Sequence, residues 1–99
     1  MATKKSASKF RPVLVTTANR GVFFGYASDT SGETIKLRGA RNCIYWSREC
    51  GGFMGLAANG PIGDSRVGAK ADIEIRNITS VSEVVESAVK VWEEKAVWK

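Results

Sequence analysis

Ninety-nine residues, 43% hydrophobic and 25% charged, suffice for one domain with a modest core and leave no room for a second. No apolar run approaches the ~20 residues of a membrane span, and no apolar block of signal-peptide length follows the basic start, so a cytosolic protein without membrane contact is expected. The net charge of +5 is concentrated at Lys4, Lys5, Lys9 and Arg11, which leaves residues 12–99 close to neutral and weakens the case for a whole-domain electrostatic binder of nucleic acid.

Met1 to Lys9 shows no periodicity and reads as a flexible basic arm, so residues 1–10 are set apart and 11–99 taken as a single β-rich domain. Val13-Leu14-Val15-Thr16-Thr17 is β-branched and follows a proline tolerated at a strand's first position. Asn19 and Gly21 suit a tight turn, after which Val22 to Tyr26 resumes the extended pattern and completes a hairpin. A polar turn over 28–33 leads to Thr34–Arg38, where Ile35 and Leu37 lie opposite Lys36 and Arg38.

Gly39 interrupts, and Ala40–Trp46 continues as a fourth extended segment across a bend or bulge, because the gap is too short for a helical crossover. Ser47 to Lys70 holds Gly51, Gly52, Gly55, Gly60, Gly63 and Gly68 and reads as a long loop with one short strand at Phe53–Ala57. Ala71–Arg76 alternates strictly, with Ile73 and Ile75 expected to be buried.

Ser80 and Glu83 resemble a capping box, yet Val81, Val84 and Val85 suit a strand; the reading is a strand to about Val84, then a helix from Glu86 to about Val97. Ala88, Val89, Trp92 and Ala96 would form its buried face. The expected fold is mainly β: a small antiparallel barrel or strongly bent sheet of about six strands, with one C-terminal α-helix. So small a core favours a homo-oligomer.

The inventory for catalysis is poor. Histidine is absent, the carboxylates Asp29, Glu33 and Glu49 lie near turns, and Asp72 and Glu74 share a solvent-facing strand side. With Cys43 and Cys50 the only cysteines, a metal site within one chain lacks ligands and no cofactor is expected. A non-enzymatic binding protein is therefore the reading.

The best chemical constellation is Lys36 to Arg48, which holds Lys36, Arg38, Arg41 and Arg48 with no acidic residue between them and adds Tyr45 and Trp46. Cations neutralise phosphates and aromatic faces stack on bases. Alternation sets Arg41, Cys43 and Tyr45 on one face and Asn42, Ile44 and Trp46 on the other. For a small anionic ligand of nucleotide type, Arg38, Arg41 and Arg48 would meet phosphates, Tyr45 or Trp46 would stack on a base, and Ser65 and Arg66 would close over it.

The segments Arg11-Pro12-Val13-Leu14-Val15-Thr16-Thr17, Arg20 to Gly25, Ala40 to Trp46 and Gly55 to Pro61 together resemble a family of short phage and prophage proteins of unknown function. The resemblance covers most of the chain after residue 10. It implies a viral protein in a bacterial cytosol and brings no catalytic residues. Among phage accessory proteins are inhibitors of host defences, some of which sequester nucleotide second messengers. Two rival readings remain open: nucleic-acid binding, with the lysine-rich arm tracking the backbone, and a protein-interaction module docking through Trp92, Trp98 or the sheet edge.

Overall fold

A computed structural model describes residues 10–19 and 21–98. The expected basic arm therefore lies outside the described residues as far as Lys9. Six strands form an antiparallel sheet: β1 (Arg11–Thr17), β2 (Val22–Ala27), β3 (Thr34–Tyr45), β4 (Arg66–Val67), β5 (Ala71–Arg76) and β6 (Ile78–Glu83). A single 3-10 turn (Arg48–Cys50) precedes helix α1 (Gly52–Asn59), and α2 (Glu86–Glu94) follows β6.

The strand order is β4-β3-β2-β1-β6, with β5 also paired to β3. The long strand β3 thus meets β2 along one edge, and β5 and then β4 along the other. Among the described residues, hydrogen bonding does not close this sheet into the expected barrel. Instead β5 on β3 and β6 on β1 are joined by Asn77 alone, a residue with φ of 60°. At that corner the Ala18 amide donates to the Asn77 carbonyl (3.0 Å) and the Ile78 amide to the Glu33 carbonyl (3.3 Å).

Two hydrophobic clusters lie on opposite faces of the sheet. Val13, Val15, Ala27, Ile35, Leu37, Ala40 and Ile75 form one. Leu14, Val22, Phe24 and Cys43 join Leu56 of α1 and Ala88 and Trp92 of α2 in the other. Val13, Leu14 and Val15 are consequently all fully buried, which is why β1 reads as a continuous apolar run rather than an alternating one.

The expected strand at Phe53–Ala57 is a helix, so the described residues hold two α-helices rather than one. Leu56 and Ala57 are its buried residues, and the Trp92 indole Nε1 donates to the Leu56 carbonyl at 3.0 Å. Gly55 lets the chain fold back on itself there: a Cβ at this position would lie 1.5 Å from the Cys50 carbonyl oxygen. In β5 only Ile75 is buried, whereas Ile73 keeps 39% exposure; α2 ends at Glu94, and Ala96 is exposed.

Candidate functional site

The bulge at Gly39 determines which side chains share a face. Tyr26 pairs with Arg38 and Phe24 with Arg41, so β3 spends one more residue than β2 over the same stretch, and Gly39 takes the positive φ of 57°. That extra residue inverts the alternation. Lys36 and Arg38 before it, and Arg41, Cys43 and Tyr45 after it, therefore project from the same side of the sheet.

The middle of this row is covered. Arg41 is only 2% exposed, and three of its N–H groups donate to backbone carbonyls: Nε to Gly68 (2.7 Å), and one terminal nitrogen to Trp92 (2.7 Å) and Lys95 (2.6 Å). Burial lowers its affinity for the proton, and the negative charge of Glu93 opposes that. Glu93 is itself held below the usual carboxylate range by Lys70, which pairs with it, and by the Tyr26 hydroxyl at 2.5 Å. These groups lock α2 onto the sheet, and Arg41 serves that contact rather than a phosphate.

Ser65 is also internal. Its hydroxyl donates to the Ile62 carbonyl (2.7 Å), accepts from the Ser47 amide (3.0 Å) and lies 3.2 Å from Cys50 Sγ. It shapes the loop before β4. Trp46 is half-buried against the helix-side cluster, and Arg48 is exposed at the start of the 3-10 turn. The seven residues expected to form one site are thus not gathered into one, although Tyr45 and Arg66 among them do meet.

The row's two ends remain open. At one end, Phe10, Ser28, Asp29, Thr34, Lys36 and Arg38 surround a hollow of about 320 Å³, and the Arg38 guanidinium sits 4.7 Å from the Phe10 ring centre. Asp29 is occupied locally: its carboxylate accepts from the Ser31 hydroxyl (2.7 Å) and amide (3.0 Å), which keep it below its usual pKa. On the far flank Asp72 accepts from the Gly39 amide (3.0 Å) and Glu74 pairs with Arg76 (3.5 Å). Among the described residues, no carboxylate comes within 4.0 Å of Lys36 or Arg38.

At the other end, Tyr45 and Arg66 are cross-strand partners, and the Arg66 guanidinium lies 5.7 Å from the Tyr45 ring centre and 5.3 Å from that of Trp98. Phe10 and Trp98 are the site residues that sequence reasoning missed in these roles. Phe10 fell within the segment set apart as an arm, though it is the only aromatic residue among the cations there.

Among the described residues no helix is long and apolar enough to cross a membrane. No curated protein and no solved structure matches the chain. A family model described as a domain of unknown function (DUF6948) matches residues 10–92, a span that runs from Phe10 of the hollow through all six strands and α1 to Trp92 of α2. The chain belongs to that family of domains of unknown function, DUF6948.

Proposed function

We propose that this is a non-enzymatic binding protein that holds a small anionic ligand of nucleotide type in the hollow between Phe10, Lys36 and Arg38. One observation carries the reading: two cations with no carboxylate within 4.0 Å among the described residues, and an aromatic ring against one of them, border a hollow of about 320 Å³ that Asp29 also lines. That volume falls at the lower end of small-ligand sites. Lys36 and Arg38 neutralise phosphate, Phe10 offers a face to a base, and the Ser28 and Thr34 hydroxyls supply hydrogen bonds.

The resemblance to short phage and prophage proteins supports a setting in an infected bacterial cytosol. Holding such a ligand there, as a homo-oligomer, lowers the free concentration of a nucleotide messenger that a host defence relies on. The test is a thermal-shift and calorimetric panel of mononucleotides, cyclic oligonucleotides and cyclic ADP-ribose isomers. At least one class should raise the melting temperature of the wild type and not of an Arg38→Ala variant; no shift across the panel sinks the reading.

A second reading, in which the ligand is a nucleic-acid strand, draws on the covalent attachment of the Lys4, Lys5 and Lys9 arm to Phe10 at the rim of the hollow. Deleting residues 1–9 then abolishes binding and flattens its salt dependence, whereas a nucleotide ligand is indifferent to the deletion.

A further inference from the structure

Arg66 stands between two exposed rings at the end of the sheet opposite the hollow. Tyr45 and Trp98 keep 47% and 48% exposure. Trp98 is not placed there by chance fraying: Val97 bridges to Val67 in parallel, and the Trp98 amide donates to the Val67 carbonyl at 3.0 Å. A strand of two residues, β4, thus ties the C-terminal segment down and sets its indole beside the Arg66 guanidinium.

These two cation–ring contacts order the guanidinium without neutralising it. Among the described residues Arg66 has no carboxylate within 4.0 Å. The surface therefore offers two half-exposed aromatic rings with a cation held between them. Those are the two requirements of single-stranded nucleic acid, which stacks its bases and seeks charge for its phosphates.

We infer that Tyr45, Arg66 and Trp98 form a stacking platform for a base of single-stranded nucleic acid, with Arg66 meeting the adjoining phosphate. The platform goes beyond the nucleotide hollow, from which it is separated by the covered stretch around Arg41. An exposed patch centred on an arginine also suits an acidic face of a protein, and the experiment distinguishes the two.

Full-length protein is titrated into a labelled single strand of about 12 nucleotides, both oligo-dA and oligo-U, and the emission of its tryptophans is followed. Stacking quenches Trp98, so the quench vanishes in Trp98→Phe while most of the affinity persists. Trp98→Ala and Tyr45→Ala each weaken binding roughly 5- to 150-fold, the range that matches ~1–3 kcal/mol per stacked base. Arg66→Ala lowers the slope of log affinity against log salt by about one. The half-exposure of both rings keeps these variants folded, and a melting curve of each verifies it.

Absence of oligonucleotide binding by the wild type overturns the inference. So does binding that Trp98→Ala and Tyr45→Ala leave intact, or capture of an acidic peptide with no response to either oligonucleotide. The double variant Lys36→Ala/Arg38→Ala separates this platform from the hollow: it loses the nucleotide of the panel and keeps the Trp98 quench. A quench without any nucleotide binding sinks the hollow alone, and nucleotide binding without a quench sinks the platform alone.

Discussion

Arg41 of β3 and Trp92 of α2 are joined at 2.7 Å through a side chain and a backbone carbonyl, and the bond lies at the point where α2 runs out of internal partners. The last carbonyls of a helix have no intrahelical donor and carry partial negative charge, so a guanidinium there both caps and complements the helix end. Burial of so polar a group is sustained by three such bonds and by Glu93 nearby.

Replacing Arg41 by Met therefore leaves three carbonyls without their donor and lowers unfolding free energy by about 3 kcal/mol, read as a lower urea midpoint. Arg41→Lys keeps a charge but cannot span all three acceptors, and recovers only part of the loss. Ligand affinity, measured well below the unfolding transition, stays at the wild-type value in either variant.

Two glycines separate steric from conformational demand. Gly39 has φ of 57° with nothing within 4 Å of an added Cβ, so Gly39→Ala costs about 1–2 kcal/mol of backbone strain. At Gly55 the added Cβ falls 1.5 Å from the Cys50 oxygen, and the 3-10 turn and α1 must separate to admit it. Gly55→Ala is the more destabilising by denaturant midpoint, and it exposes Trp92, whose indole loses its place against Leu56.

Alkaline pH should loosen the fold in two stages. Burial, with a smaller contribution from Cys50, pushes the Cys43 thiol from 9 up to about 12, and burial together with Glu93 pushes the Tyr26 hydroxyl from 10 up to about 12. Both folded pKa values are raised, so the unfolded chain releases these protons first and stability falls as pH climbs from about 9 towards 12. Cys43→Ala delays the onset, and Tyr26→Phe flattens the upper limb; melting temperature against pH reads both.

At the hollow, Arg38→Ala removes a phosphate partner and the cation above Phe10, and binding weakens with a shallower salt dependence. Phe10→Ala weakens binding by roughly tenfold with the salt slope unchanged, since it removes a stacking face and no charge. Calorimetry at two ionic strengths separates the two effects.

Local pattern made most of the strands legible. Thr34–Arg38 alternates because it has a wet side and a dry side, Ala71–Arg76 carries the same pattern though only Ile75 of it is buried, and Gly39 marks the bulge between the two halves of β3. Helix α1 was hidden because Gly52 and Gly55 are poor helix formers and no side chain caps its start; its stability comes from Trp92, distant in the chain. Arg41 looked like a ligand-binding cation for the same kind of reason: nothing near it in sequence reveals the carbonyls of Trp92 and Lys95. Tyr45 and Arg66 were legible as candidates, but their union with Trp98 depends on the Val67–Val97 bridge, a pairing that no periodicity encodes.

The Asn77 corner has a consequence for how the protein comes into being. Val13, Leu14 and Val15 are synthesised well before Ile78–Glu83, and over that interval one flank of their strand has no partner. The nascent chain carries an adhesive edge until then, and pairings so distant along the chain assemble slowly. Shielding of that edge by a chaperone, or prompt synthesis of the strand that covers it, therefore favours the yield of folded protein.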